Sequence, residues 1–151
     1  MKKINKKNRL AYLICLLPWF IGSILFKVDT TYYKNLNLPF FAPSPIIFPI
    51  IWTLLYLLIS FSIYKTKEEK TTNYSIYLTI NYLSNQLFTF FFFIIKNNFL
   101  AIIDTLIVFL SSIYLYQETK KINKNNTKYL IPYLIWNLFA LILITTIYII
   151  N

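Results

Sequence analysis

The chain has no histidine and a single cysteine, Cys15. The first absence excludes histidine-ligated zinc or haem, and with it histidine acid–base chemistry. The second excludes a disulfide within the chain. Acidic side chains number five in 151 residues, and charged residues of both signs make up only 13%. A soluble domain carries about 25%. Glycine occurs once, at Gly22, and tryptophan three times. The abundant Ile, Asn, Lys, Tyr and Phe are residues that AT-rich coding favours, so the many tyrosines and phenylalanines say little by their number. Trp, Gly and Pro run against that bias. Trp19, Trp52, Trp136, Gly22 and a cluster of prolines are therefore the informative positions.

What is present is apolar: 58% of the residues are hydrophobic. Five runs approach the roughly 20 residues that a helix needs to cross a bilayer core. They lie at about 10–26, 46–64, 74–95, 99–117 and 129–150. The first follows a basic start but leads into "SILFKVDT" with no small-residue cleavage site, so it reads as a retained helix. The expected fold is a single domain, residues 1–151: an all-α integral membrane bundle of five transmembrane helices. No internal repeat is visible.

The net charge of +10 is distributed by loop. Twelve basic residues fall at the N-terminus and in the second and fourth loops (Lys2, Lys3, Lys6, Lys7, Arg9, Lys65, Lys67, Lys70, Lys120, Lys121, Lys124 and Lys128). Only Lys27, Lys34 and Lys96 fall on the other side. The positive-inside rule places the N-terminus in the cytoplasm and the C-terminus outside a membrane, read here as a bacterial plasma membrane. Nucleic acid is not an expected partner, because no basic soluble domain exists to bind it.

Asp104 is the one acidic residue inside a span. It has no second carboxylate to pair with, and a pump or channel typically needs more intramembrane charge. A structural hydrogen bond between helices and a functional role both stay open for it. Asn85 and Gln86 read as interhelical glue.

Four of the six prolines, Pro39, Pro43, Pro45 and Pro49, stand in "LNLPFFAPSPIIFP", just before Trp52. Proline fixes φ and lacks an N–H, so this first loop is stiff and irregular. On the second span Phe48, Trp52 and Tyr56 share one helical stripe, as do Trp136, Ala140 and Leu143 on the fifth. Ala140 is small and leaves room beside Trp136. Spacing alone leaves two readings open: bundle core, or the walls of an aromatic pocket.

The stretch "YYKNLNLPFFAPSPIIFPIIWTLLY" resembles the signature of the TspO/MBR family, the tryptophan-rich sensory and translocator proteins. The matching positions are Tyr33, Leu36, Pro39, Phe41, Pro43, Phe48, Pro49, Trp52, Leu55 and Tyr56. "IGS" at Ile21 to Ser23, "NQL" with Gln86, "AIID" ending at Asp104, and "PYLIWNLFA" from Pro132 to Ala140 agree in order, so the resemblance covers nearly the whole chain. It departs where Tyr32 replaces a tryptophan, where Phe90 and Phe91 replace an asparagine and a tryptophan, and where Ile144 replaces an asparagine. These changes make the implied pocket less polar.

The resemblance implies a five-helix membrane receptor for porphyrins or other flat hydrophobic ligands, with the proline-rich loop as a lid. It implies ligand contacts at Ser23, Tyr33, Pro43, Phe48, Trp52, Phe90, Ile107, Trp136, Ala140 and Leu143. Trp52 and Trp136 are the residues it implicates in light- and oxygen-dependent porphyrin breakdown; no conventional catalytic constellation is present, and neither a metal nor a required cofactor is expected. Lacking histidine, the chain favours stacking on a metal-free, protoporphyrin-like ring over iron ligation. A sterol is the weaker alternative ligand, through the loose pattern Leu110, Tyr114, Lys120. A homodimer is also implied, with Gly22 and Ser23 permitting close helix approach. Trp19 has no counterpart in the family pattern, so Trp19→Phe is expected to change little. The rival reading is a small membrane assembly factor or transporter subunit without a dedicated ligand.

Overall fold

A computed structural model describes residues 6–151 of the chain, with side chains from Arg9 onward. Lys2 and Lys3, counted above in the charge asymmetry, lie outside the described residues. Among those described, every regular element is a helix. Three are long and apolar enough to cross a membrane: α4 (Ile47–Thr66), α6 (Asn98–Ile122) and α7 (Ile131–Ile150). A shorter apolar helical stretch runs from Arg9 to Leu25.

That first stretch is not one helix. Pro18 has no N–H to give and its ring crowds the preceding turn. α1 (Lys6–Leu16) therefore ends just before it, a 3-10 turn spans Leu17–Phe20, and α2 (Ile21–Leu25) resumes. The expected span 74–95 is likewise divided. α5 (Thr72–Thr89) continues as a π-helical turn over Phe90–Ile94, where the Ile95 N–H donates to the Phe90 carbonyl at 2.9 Å. Lys96 then adopts a left-handed φ of 57° and the chain reverses. α6 runs beyond the expected residue 117 to Ile122, because Gln117, Glu118, Lys120 and Lys121 are good helix formers that need no lipid around them. Side-chain caps define several starts: Thr71 accepts from the Tyr74 N–H, and Asn97 from the Leu100 N–H. Pro132 sits in the first turn of α7, where a missing N–H is harmless.

The helices close into a ring in the order α1–α2, α5, α6, α7, α4. Ile24, Ile135 and Ile149 point outward from it. Lipid tails are as apolar as these side chains, so packing and hydrogen bonds must hold such a ring together. The interior supplies both. The Tyr56 hydroxyl donates to Asn85 Oδ1 at 2.9 Å, the Tyr133 hydroxyl donates to Asn81 Oδ1 at 2.8 Å, and Asn81 Nδ2 donates to the Val108 carbonyl at 2.9 Å. These bonds join α4, α5, α6 and α7. Gly22 is buried against α5: its N–H donates to Gln86 Oε1, and a Cβ there would stand 2.6 Å from that oxygen and 3.1 Å from the Gln86 carbonyl oxygen. The close helix approach expected at Gly22 is thus made within the chain.

Between α2 and α4 the segment 26–46 contains a short helix, α3 (Thr30–Asn35), capped by the Asp29 carboxylate on the Tyr32 N–H at 2.9 Å. Lys96 pairs with Asp29 at 3.0 Å, and the Tyr32 hydroxyl donates to Asn98 Oδ1 at 3.1 Å. At the other end Asn37 is doubly bonded to the Asn151 side chain, at 2.9 and 3.0 Å. Between these clasps the Tyr33 hydroxyl donates to the Pro43 carbonyl at 3.0 Å. Turns closed by Ala42 onto Pro39 and by Ile47 onto Ser44 carry the chain through the prolines into α4.

Candidate ligand-binding site

Inside the ring, at the end nearest α3, lies a cavity of about 420 Å³. Its walls come from all five sides of the ring and from the 26–46 segment, through Val28, Thr30, Tyr33 and Pro45. Aromatic rings dominate. Trp52 and Trp136 stand perpendicular, at 89° with centroids 6.4 Å apart. Phe48 meets Trp136 edge-on at 6.2 Å, and Tyr56 tilts on Trp52 at 5.6 Å. Perpendicular and offset contacts are what aromatic quadrupoles prefer. Two walls at right angles leave a corner against which a flat molecule can lie on one indole and abut the other.

The helical stripes read from the sequence do meet here. Phe48, Trp52 and Tyr56 of α4 face Trp136, Ala140 and Leu143 of α7 across the same space, and Ser23 and Tyr33 complete its upper wall. Ala140, with only a methyl group, leaves that space unfilled. Pro43, Phe90 and Ile107 stand elsewhere. Pro43 acts through its carbonyl, which fixes the Tyr33 hydroxyl. Phe90 opens the π-helical turn and packs on Phe26, with ring centroids 5.3 Å apart. Ile107 is on the outward face of α6, where its neighbours Thr105 and Val108 line the cavity instead.

Sequence reasoning missed Phe88, Phe92 and Phe93 as wall residues, and it took Asn85 and Gln86 only as glue between helices. They are both: each is hydrogen-bonded across helices, and each borders the cavity. Four consecutive phenylalanines give no hint of which face inward. The π-helical turn decides it by shifting the register by one residue. Asp104 is buried but does not line the cavity, and its Oδ2 has no hydrogen-bond partner among the described residues. Of the two readings left open for it, a structural hydrogen bond between helices is not made at that oxygen. Trp19 is sealed in the core, stacked on Tyr56 at 5.5 Å and 27°. It does not reach the cavity.

No charged side chain lines this space, and no cluster of three or more potential metal ligands occurs among the described residues. The arrangement is suited to stacking and shape selection on an apolar body, with neutral hydrogen-bonding groups on several walls, among them Asn85 and Gln86 of α5, Thr105 of α6 and Asn137 of α7, whose buried amide has no partner among the described residues.

Comparison with known proteins agrees with the residue pattern. The chain is 32% identical over 151 residues to the tryptophan-rich protein TspO of Bacillus cereus, covering 98% of this chain and 99% of that one. It is 37% identical over 152 residues to the uncharacterized membrane protein YtaB of Bacillus subtilis, with 97% of each covered. A tryptophan-rich protein TspO from Archaeoglobus fulgidus is 32% identical over 140 residues, 87% of this chain and 88% of the relative. The TspO/MBR family model matches residues 11–149. This apolar, helical membrane protein, with its paired tryptophans across one cavity, belongs to the TspO/MBR family.

Proposed function

We propose that this protein is a five-span membrane receptor that holds a flat, hydrophobic ligand of the porphyrin or tetrapyrrole class in the corner formed by Trp52 and Trp136. The observation that carries the reading is the perpendicular pair of indoles on a cavity of about 420 Å³ with no charged lining. In this reading the rod of α1 and α2 and the α5 helix with its π-helical extension are the two further spans. The segment 26–46 is the lid. Its clasps at Asp29–Lys96 and Asn37–Asn151, and its stiff prolines, hold it near the bound shape, so little ordering entropy is lost on binding. The N-terminus is cytoplasmic by the distribution of lysines, the C-terminus is outside, and the protein works as a homodimer.

Binding is by stacking rather than metal ligation, and needs no resident cofactor. Where light and oxygen are present, the indoles of Trp52 and Trp136 are the oxidisable groups placed against the ring. Purified protein titrated with a metal-free porphyrin should show saturable, stoichiometric quenching of tryptophan fluorescence. Absence of saturation would remove the proposal; co-purification of one stoichiometric protein partner in its place would favour an assembly role. Irradiation of the complex should bleach the porphyrin faster than the free dye in the same detergent, and Trp52→Phe should slow that bleaching while keeping part of the affinity.

A further inference from the structure

The lysine-rich end of the bundle, far from the cavity, carries an aromatic cluster of its own. Tyr12 comes from α1, Phe61 and Tyr64 from α4, and Tyr129 from the 3-10 segment Lys124–Tyr129. Phe61 is the hub. Its ring meets Tyr129 edge-on at 4.9 Å and Tyr12 at 6.2 Å, and Tyr64 tilts on it at 6.4 Å. None of these four rings lines the cavity, and all are half-buried.

Three of the rings carry a lysine. Lys65 Nζ lies 5.4 Å from the Phe61 centroid, Lys128 Nζ 5.2 Å from that of Tyr129, and Lys67 Nζ 4.9 Å from that of Tyr64. Lys67 is also paired with Glu68 at 3.5 Å. Lys65 and Lys128 are exposed and make no ion pair among the described residues. Arg9, one turn before Tyr12 on α1, is a third exposed cation without one. The opposite end differs: Lys96 lies over Tyr32 at 5.1 Å, but Asp29 at 3.0 Å neutralises it.

The surface that leads away from these cations is graded. Leu54, Leu57, Phe61 and Lys65 form one outward stripe of α4, running from aliphatic through aromatic to cationic. The helices on either side of α4 in the ring repeat the order. On α1, Arg9 heads the exposed Leu13 and Leu17; before and along α7, Lys128 heads the exposed Ile131 and Ile135. A lysine laid over a ring keeps its apolar stem on the protein and its ammonium at the polar level of a membrane. The missing partner is an anion at that level, attached to an apolar body that continues down the stripes. A phospholipid with net negative charge has that chemistry.

We propose that this face of α4, between α1 and α7, is a binding site for an anionic phospholipid, its phosphate on Lys65, Lys128 and Arg9 and its acyl chains along the leucine and isoleucine stripes. The proposal is independent of what the cavity binds. The test is native mass spectrometry of the full-length protein in neutral detergent, titrated with phosphatidylglycerol or with phosphatidylcholine of the same chains. The wild type should prefer phosphatidylglycerol by about tenfold, since each basic side chain near an anionic headgroup contributes roughly a fivefold factor. The double variant Lys65→Gln/Lys128→Gln should lose most of that preference through weaker phosphatidylglycerol binding, with phosphatidylcholine unchanged. Lys65→Arg/Lys128→Arg should keep it. Lys120→Gln/Lys124→Gln removes the same charge from exposed positions at this end that lie over no ring, and should leave the preference as it is. Equal losses in the two glutamine pairs would mean a diffuse attraction and overturn the site. So would equal binding of the two lipids by the wild type. Displacement of the lipid by an equal concentration of glycerol 3-phosphate would overturn the lipid as occupant, because the chains would then contribute nothing. A dimer that falls apart in Lys65→Gln/Lys128→Gln while lipid binding stays the same would give the face to a second copy of the chain.

Discussion

Trp19 and Trp52 both lean on the Tyr56 ring, at 5.5 Å and 5.6 Å, yet they belong to different worlds. On the Trp19 side the interior is closed. Tyr82 and Tyr133 meet the indole edge-on at 5.3 and 6.5 Å, and Trp19 is 2% exposed. On the Trp52 side the interior is open, with Trp136 across a corner and unfilled space beyond. The residue type is the same and the aromatic partners are alike. Tyr133 of α7 meets both indoles edge-on, at 6.5 and 6.3 Å. The difference lies beyond it: the Trp52 side continues past Trp136 to Ala140, whose methyl group leaves a void. Aromatic richness alone therefore does not identify a site. The site is where aromatic packing stops short.

Substitutions can sharpen that contrast. Trp19→Ala should have the largest effect on stability, about 3–5 kcal/mol, because it opens a cavity in sealed core. It should lower the thermal midpoint in detergent markedly, while the fraction that remains folded binds ligand with little change. Tyr133→Phe should come next. It removes the donor to Asn81 Oδ1 and the acceptor for Asn85 Nδ2 and leaves both amides buried, for a loss of about 1–3 kcal/mol read by the same unfolding assay. Equal stability losses for Trp19→Ala and Trp136→Ala would break the comparison, since a ring bordering a void leaves fewer contacts behind.

The smallest effect belongs to the outer clasp. The Tyr32 N–H, and then Lys96, hold the Asp29 carboxyl below its ordinary range. A depressed carboxylate contributes stability that is present above the ordinary value of 3.8 and lost as pH falls through the lowered one. The difference in thermal midpoint between wild type and Asp29→Asn should thus be constant from neutral pH down to about pH 4, and shrink below it. A difference that instead grows with acid would contradict the clasp.

Much of this was legible in the residues, and the failures have physical causes. Length and hydropathy located the long helices α4, α6 and α7 to within a few residues at most ends. The family motifs located both tryptophans and Ala140. The π-helical turn at Phe90–Ile94 was not legible, because a run of phenylalanines has no periodicity to betray a slipped register. Phe90, expected at the ligand from the family pattern, opens that turn and does not line the cavity. Ile107 failed for a related reason: in an apolar helix surrounded by lipid, both faces are greasy, so hydropathy does not tell inside from outside. The helix α3 was missed because six residues carry too little pattern, although Asp29 three residues before Tyr32 is a fair cap signal.

The central claim is that the open side of Tyr56 is a binding surface and the closed side is not. A porphyrin titration with Trp52→Leu, Trp136→Leu and Trp19→Phe tests it most directly. Stacking on an aromatic platform contributes about 1–3 kcal/mol in nucleic-acid systems, and roughly 1.4 kcal/mol is tenfold. Trp52→Leu and Trp136→Leu should each weaken binding about tenfold, with Trp19→Phe within about twofold of wild type. Equal weakening by all three would make the tryptophans one continuous core, and the account of the cavity as a ligand site would be wrong.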